Sequence, residues 1–410
     1  MNKKVVGISS KPRIRYLFGI FVHAVIPVVL FCAVVQPVAA YEGVVRVRDG
    51  GETKGRLVAA DGKSSIKTLY IDSSEPSSNV VTTVSPPTHT EGINFSKVPD
   101  VRIFKGDETI GYRDPAAWYE DGVFHLFITV CDPSVPRMTI GHSTSRNLID
   151  WSPVEYVLPM DKRFNWSSPG NIVKVGDERV LCFQKYPTPD ATPTKVAFAD
   201  DTARLYTIRT KDFKTWTKPE LIMVKGPNVS EAEMGRMIDP YLVKGTDGLW
   251  WCFYKQQQDK SGRFSKKARM GVPFSVSADL KVWKQKGFTD GGENVCVLPD
   301  DHTGGWLMLH SPNNGIGFKR STDLVHWADC GKTVLGQQDW NWAKGRITAA
   351  TVIDCRAVKG VGKYVMFFHG SGPRKEIDGD CYKNCSIGIA WSDDLKEWTW
   401  PGKVCKRCLP

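Results

Sequence analysis

One seven-residue phrase recurs five times and restricts the fold more than any other feature of the chain. A hydroxyl residue is followed two positions later by Asp or Asn, then by a bulky apolar residue, and three positions after that by Trp. The first copy is Ser145-Arg146-Asn147-Leu148-Ile149-Asp150-Trp151; the others occupy residues 210–216, 277–283, 321–327 and 392–398. Hydroxyl and carboxylate or amide side chains at these offsets accept hydrogen bonds from backbone N–H groups just ahead and set a tight turn. Leu or Phe then packs inward, and Trp leads into the next strand with a large apolar surface. Before each turn lie two runs of strand character, such as 306–310 with 315–319 and 364–369 with 386–391. Each repeat is therefore a four-stranded antiparallel unit that cannot bury both faces alone. Five such units close naturally into a ring. The expected fold is all-β, a five-bladed β-propeller with four-stranded antiparallel blades over residues 101–410, with uneven Trp spacing marking loop insertions.

The ends read differently. Residues 1–40 have the form of a signal peptide: a basic start, an apolar run over 17–35 and the small residues Val38-Ala39-Ala40 at the cleavage position. The run is long enough that an uncleaved anchor is the competing reading, but Pro27, Pro37 and the small-residue ending favour cleavage. The mature chain is then expected to be a secreted or periplasmic monomer, with no membrane association once the signal is removed. Residues 41–100 form an N-terminal extension whose Ser/Thr/Pro-rich stretch from 72 to 90 reads as an exposed linker or as a strand wrapping over the main domain. The formal net charge is +11, but Lys3, Lys4, Lys11, Arg13 and Arg15 all fall in the signal, and no dense basic run follows. That balance argues against nucleic acid as a partner. Of 11 cysteines, Cys381, Cys385, Cys405 and Cys408 crowd the C-terminus. In an exported chain they are expected to form disulfides, their CxxxC and CxxC spacing also suiting zinc. Cys182, Cys252 and Cys296 lie in apolar runs and read as small buried hydrophobes.

In a propeller the first strand of each blade lines the axis, so residues entering that strand surround one end of the channel. Compared at this phase, the five units present Asp114-Pro115, Ser168-Pro169, Asp239-Pro240, Glu293-Asn294 and Thr348-Ala349. Three acids from units one, three and four thus face one axial pocket. Clustered carboxyls suit glycoside hydrolysis: a protonated one gives its proton to the leaving oxygen, an ionised one activates water or attacks the sugar. A third holds the two pKa values apart. The alternatives are Asp-Pro turns at strand entrances, or a structural calcium ion at the axis, since three carboxylates suit a hard cation. No cofactor is required.

The Tyr112-Arg113-Asp114-Pro115 start, the Ile238-Asp239-Pro240 phrase and the five turns resemble glycoside hydrolase family 43 and its five-bladed relatives, families 32, 62, 68 and 117. The likeness spans residues 101 to about 400. It implies an inverting hydrolysis of O-glycosidic bonds in a polysaccharide or oligosaccharide. By position, it also implies Asp114 as general base, Asp239 as the residue that tunes pKa, and Glu293 as general acid. One departure stands out: the family's acid sits in Glu-Gly-Pro, and this chain has Glu293-Asn294-Val295. Glu231 and Glu233 are the reserve acids. The chain also lacks the Trp-Met-Asn-Asp-Pro-Asn-Gly start of the family 32 fructosidases, which argues against a fructan.

Further residues are expected to bind the glycan. Arg113 and Ser168 flank the acids, Arg346 stands at the pocket phase of unit five, and Trp166, Trp340 and Trp342 lie in loops where an aromatic face stacks on a sugar or packs outward. His369 ends an inner strand and reads either as a satisfied strand histidine or as one reaching the axis, where the resembling family often places a His near a bound ion; His310 is read as its counterpart in unit four. Two rivals to hydrolysis remain: a carbohydrate-binding propeller without turnover, and a glycoside phosphorylase, which needs a clustered phosphate site that the sequence does not supply.

Overall fold

The computed structural model describes residues 40–46, 52–58, 92–132, 138–158, 163–187, 200–259, 261, 263–372 and 384–403. Residues 1–39 of the expected signal, the whole stretch 72–90, and Cys381, Cys405 and Cys408 lie outside the described residues. Two units are distinguished, residues 1–82 and 83–410. In the first, strands Ala40–Arg46 and Glu52–Val58 pair as an antiparallel hairpin, Ala40 opposite Val58 and Arg46 opposite Glu52.

The second unit is a five-bladed propeller. Blade one consists of Gly111–Glu120, Val123–Cys131, Met138–Ser145 and Glu155–Tyr156. In blade two the inner strand is split into Phe164–Ser167 and Ile172–Val175, both paired with Glu178–Pro187; Arg204–Thr210 and Glu220–Leu221 follow. Blade three runs Ile238–Lys244, Trp250–Gln257, Met270–Ser277, Trp283–Thr289, and blade four Glu293–Asp300, Gly305–Ser311, Ile316–Ser321, Ala328–Thr333. Blade five has Arg346–Asp354, Tyr364–Ser371, Cys385–Ser392 and the short Trp398–Thr399. All pairings are antiparallel.

The ring is closed by the chain's other end. Arg102–Phe104 pairs with Cys385–Ser392, at Phe104 opposite Ile387, beside the short C-terminal strand. Phe95 lies against Trp391, ring centroids 4.9 Å apart, so the segment ahead of Arg102–Phe104 packs on blade five. The core is distributed in the seams between neighbouring blades. One cluster joins blades three, four and five through Phe253, Phe274, Val297, Leu309 and Phe368, and others join blades five to one, one to two and two to three. Each sheet is buried on both faces, which is why its middle strands read as near-continuous apolar runs.

The repeated turn has the expected chemistry and one feature its residue types conceal. Ser145 Oγ accepts from the N–H of Leu148 at 2.8 Å, and Asn147 Oδ1 from those of Ile149 and Asp150 at 2.9 and 2.8 Å. The same bonds recur at Thr210 and Asp212 and at Ser392 and Asp394. In all five turns the bulky residue is left-handed: Leu148, Phe213, Leu280, Leu324 and Leu395 have φ between 58° and 64°. That conformation costs a branched residue about 1–2 kcal/mol. Burying its side chain returns about 1.5–3 kcal/mol, and Leu148, Leu324 and Leu395 are 0, 2 and 3% exposed. Burial wins. Cys182, Cys252 and Cys296 are buried thiols within strands, as expected. Among the described residues no helix is long and apolar enough to cross a membrane.

Candidate active site

Every inner strand is kinked at one residue near the axis. Asp114, Ser168, Asp239, Asn294 and Ala349 have φ of 46°, 43°, 53°, 52° and 49°. Four of these lie in irregularities of strand register, between Arg113 and Ala116, Ile238 and Tyr241, Glu293 and Cys296, and Thr348 and Thr351. The fifth, Ser168, fills the break in the inner strand of blade two. A bulge with a left-handed residue bends the strand and re-aims its side chains. These five line one axial pocket together with Pro115, Gly170, Pro240 and Val295. Gly170 is required there, because a Cβ would stand 1.6 Å from the carbonyl oxygen of Pro240.

This register corrects the phase read from the sequence. Asp114, Ser168 and Asp239 are equivalent, but the equivalents in blades four and five are Asn294 and Ala349. Glu293 and Thr348 stand one residue earlier, level with Arg113, Ser167 and Ile238. Glu293 therefore joins the acids from a different position. Asn294, standing where the family has Gly, takes the left-handed conformation that Gly adopts freely and Asn tolerates better than most residues.

Asp114 is held from four blades. Its side chain is 8% exposed. Thr129 Oγ1 and Ser168 Oγ both donate to Oδ2 at 3.2 Å, and Asn294 Nδ2 donates to Oδ1 at 3.0 Å. His369 Nδ1 is 3.4 Å from Oδ1 and Arg113 Nε 4.0 Å from Oδ2. Ser168 thus turns its hydroxyl to the carboxylate it was expected to flank. His369, fully buried, does reach the axis.

The surroundings of Asp239 and Glu293 push their pKa values in opposite directions. Asp239 is 6% exposed; its N–H donates to Gln184 Oε1 at 2.6 Å, and its Oδ2 meets no donor among the described residues. Burial, reinforced by the negative charges of Glu293 and Asp114 and only partly opposed by Lys255 and Arg236, pushes its pKa up to about 7. The Glu293 side chain is 26% exposed. Burial would raise it too, but the Lys255 ammonium and the Arg346 guanidinium outweigh that and bring it down to about 2. Lys255 Nζ binds Glu293 Oε2, and Arg346 binds Oε1 at 2.6 Å while also donating to Pro312 O at 3.3 Å. Tyr186, buried beside Arg236, has its phenol pushed up by burial and by the nearby carboxylates.

Other expectations are relocated. Trp166 lies in the strand Phe164–Ser167, 7% exposed, its ring 5.5 Å from those of Phe183 and Tyr206. It fills the seam of blades one and two and offers no face to a sugar. Trp340, Trp342 and Phe368 pack on one another as a three-ring cluster, with centroids 5.5, 5.8 and 6.1 Å apart. Glu231 and Glu233 belong to the short helix Glu231–Met234, where Glu233 closes a capping box with Ser230 and Glu231 binds Arg204. The strand partner of Glu293 is Ser311, so His369 corresponds to Ser311 and not to His310, which accepts from the N–H of Gly292 at 3.0 Å. Among the described residues no group of three or more His, Cys, Asp or Glu side chains is arranged to hold a metal ion.

Sequence reasoning missed Thr129, Gln184, Lys255 and Asn294. Apart from Asn294, each is a polar residue near the end of an apolar second strand: Phe127-Ile128-Thr129, Cys182-Phe183-Gln184, Phe253-Tyr254-Lys255. That interruption was the available signal.

The fold is shared with solved structures. The chain is similar to a family 117 glycoside hydrolase of the marine bacterium Zobellia galactanivorans, with a TM-score of 0.52 at 16% identity over 77% of this chain and 93% of that one. It is also similar to a thermostable family-43 glycoside hydrolase (TM-score 0.50, 12% identity, 73% and 95% covered) and to a further glycoside hydrolase (0.51, 14%, 74% and 92%). At these identities the likeness is one of architecture, the five-bladed propeller. No family model and no curated protein matches the sequence.

Proposed function

We propose that the chain is an exported glycoside hydrolase that cleaves an O-glycosidic bond of a polysaccharide or oligosaccharide in the axial pocket, with inversion at the anomeric carbon. The observation that carries this reading is the division of labour among three carboxyl groups. Asp239 holds a proton near neutrality and has a carboxyl oxygen without a protein donor, Glu293 is an anion, and Asp114 is gripped by three hydrogen bonds on the other side of the axis. Two titratable groups whose surroundings push their pKa values apart are the usual mark of an acid and its partner.

The roles follow from those states. Asp114 takes a proton from the attacking water. Asp239 gives its proton to the glycosidic oxygen as the bond to the anomeric carbon breaks, and positive charge develops on the ring. Glu293 keeps Asp239 protonated through its own charge and faces that developing cation. Relative to the resemblance, Asp239 and Glu293 exchange roles. The three solved neighbours named above are glycoside hydrolases and support the reaction class; export rests on the basic and apolar character of residues 1–40.

The experiment is a panel of aryl arabinosides, xylosides and galactosides with anhydrogalactose oligomers, offered to the wild type, D114N, D239N and E293Q. Proton NMR of the first-formed anomer reports the stereochemistry. Turnover by the wild type, lost about 10²–10⁴-fold in D114N and D239N, is expected, with E293Q retaining activity at acidic pH. An E293Q enzyme inactive at every pH would return the acid's role to Glu293. Wild-type glycan binding with no turnover would make the propeller a binding module, and turnover dependent on inorganic phosphate would make it a phosphorylase.

A further inference from the structure

Around the axis, the second strand of each blade places one polar side chain opposite the residue before the left-handed one. These are Thr129 opposite Arg113, Gln184 opposite Ser167, Lys255 opposite Ile238, Ser311 opposite Glu293 and His369 opposite Thr348. Three of them do the same job. Thr129 Oγ1 accepts the N–H of Ser168 at 2.8 Å, Gln184 Oε1 that of Asp239 at 2.6 Å, and Ser311 Oγ that of Ala349 at 2.7 Å. Each joins one blade to the kinked residue of the next.

Blade three breaks the pattern. Lys255 has three donors and no acceptor, so it cannot take the N–H of Asn294. Its ammonium reaches instead to the side chain of Glu293, the residue immediately before. A neutral acceptor of similar length serves blade two, and partly burying an ammonium, here 17% exposed, carries a desolvation cost. The joint alone does not explain a lysine.

We propose that Lys255 is a positioning residue that holds Glu293 as an anion beside Asp239, and thereby assigns the single proton of this acid pair to Asp239. The inference rests on the hydrolytic reading above and adds a residue to it. The charged and titratable groups around the pair are Lys255 and Arg236 from blade three and the segment before it, Arg346 from blade five, Asp114 from blade one and Tyr186 from blade two. Arg346 holds the other oxygen of Glu293, so loss of Lys255 leaves the carboxylate bound but less strongly biased toward ionisation.

The test is K255Q beside K255R. Gln is the acceptor that blade two already uses, so K255Q is expected to fold; K255M, which keeps the apolar stem, takes its place otherwise. Removing the charge raises the proton affinity of the pair, because an opposite charge at this range shifts a carboxyl by about 1–3 pH units. The alkaline limb of kcat/KM is expected to move up by about one pH unit in K255Q and to stay put in K255R. A merely structural lysine would lower the rate without moving the limb, and an unmoved limb in K255Q overturns the proposal. Carboxyl ¹³C NMR of Asp239 and Glu293 reads the same shift without any substrate. It decides the point even if the wild type turns over no glycan, which would defeat the hydrolytic reading alone: titration moved upward in K255Q supports the role of Lys255, and titration unchanged overturns it.

Discussion

Asn294 on blade four donates its side-chain amide to Asp114 on blade one, 3.0 Å away across the propeller axis. The bond exists because Asn294 stands in the left-handed position that the resembling family fills with Gly, and Gly has no side chain to offer. What reads in the sequence as a departure from Glu-Gly-Pro puts at this left-handed position a residue that tolerates it better than most, and adds a contact.

That contact is separable from the fold. N294G relieves backbone strain and removes only the cross-axis hydrogen bond. A hydrogen bond to a charged group is worth about 1.5–3 kcal/mol, so kcat is expected to fall about ten- to a hundredfold. KM should stay within about twofold, and circular dichroism melting should be no worse than wild type. Unchanged kcat would show that Asp114 is oriented without Asn294.

The wild-type pH profile follows from Asp239. In the proposed reaction the protonated carboxyl is the acid, so kcat/KM is expected to fall as pH rises through about 7. E293Q removes a negative neighbour and leaves Lys255 without its partner, and both changes release that proton more readily. Its alkaline limb should lie below that of the wild type.

Stability should depend on pH through the same carboxyl. Its folded pKa, about 7, lies above the ordinary 3.8, so folding takes up a proton between those values. The contribution is complete below pH 3.8 and is lost as pH rises through 7. The size is on the order of a few kcal/mol, at 1.36 kcal/mol per unit. D239N is expected to raise the melting temperature relative to wild type at pH 8 and to leave it close to wild type at pH 4. Parallel melting curves for the two proteins across that range would sink the assignment.

A histidine pair at the seam of blades one and two predicts acid lability. His125 Nδ1 and His142 Nε2 are 3.0 Å apart, and the two rings belong to an aromatic cluster in which His125 stacks on Phe213 at 3.9 Å and His142 on Phe127 at 4.3 Å. Burial, first in both cases, brings them down to about 4 and about 3. Stability from the neutral rings is present above the ordinary 6.5 and lost as pH falls through those lower values. H142F should flatten the acid side of the stability curve, as followed by urea unfolding at several pH values.

The turns predict a graded series. Leu148 is fully buried, whereas Leu280 in the same motif is only partly so. Leu148→Ala is expected to cost about 2–5 kcal/mol and Leu280→Ala clearly less, by urea unfolding. Equal losses would mean that the left-handed backbone, and not burial, sets the value of the residue.

Much of this molecule is written locally. The five turns were legible because their hydrogen bonds join residues two or three apart, so their residue types suffice to specify them, and five copies imply a ring. Asp114 and Asp239 were legible because each precedes Pro at the start of a strand. Trp166 was misread as a loop residue because composition does not reveal that the inner strand of blade two is broken around Ser168.

What tertiary structure alone decided lies at the axis. A bulge consumes a residue without leaving a mark in composition, so the true equivalents Asn294 and Ala349 were displaced by one in the sequence reading, and Glu293 was given a phase it does not hold. The charge states of the acids were equally hidden. Lys255 is 38 residues from Glu293, and Asn294 is 180 from Asp114. Pairings at such separations exist only once the blades have closed around a common channel. The sequence determined that carboxyls would gather there; burial and the positions of two cations determined the direction in which each one's pKa moves.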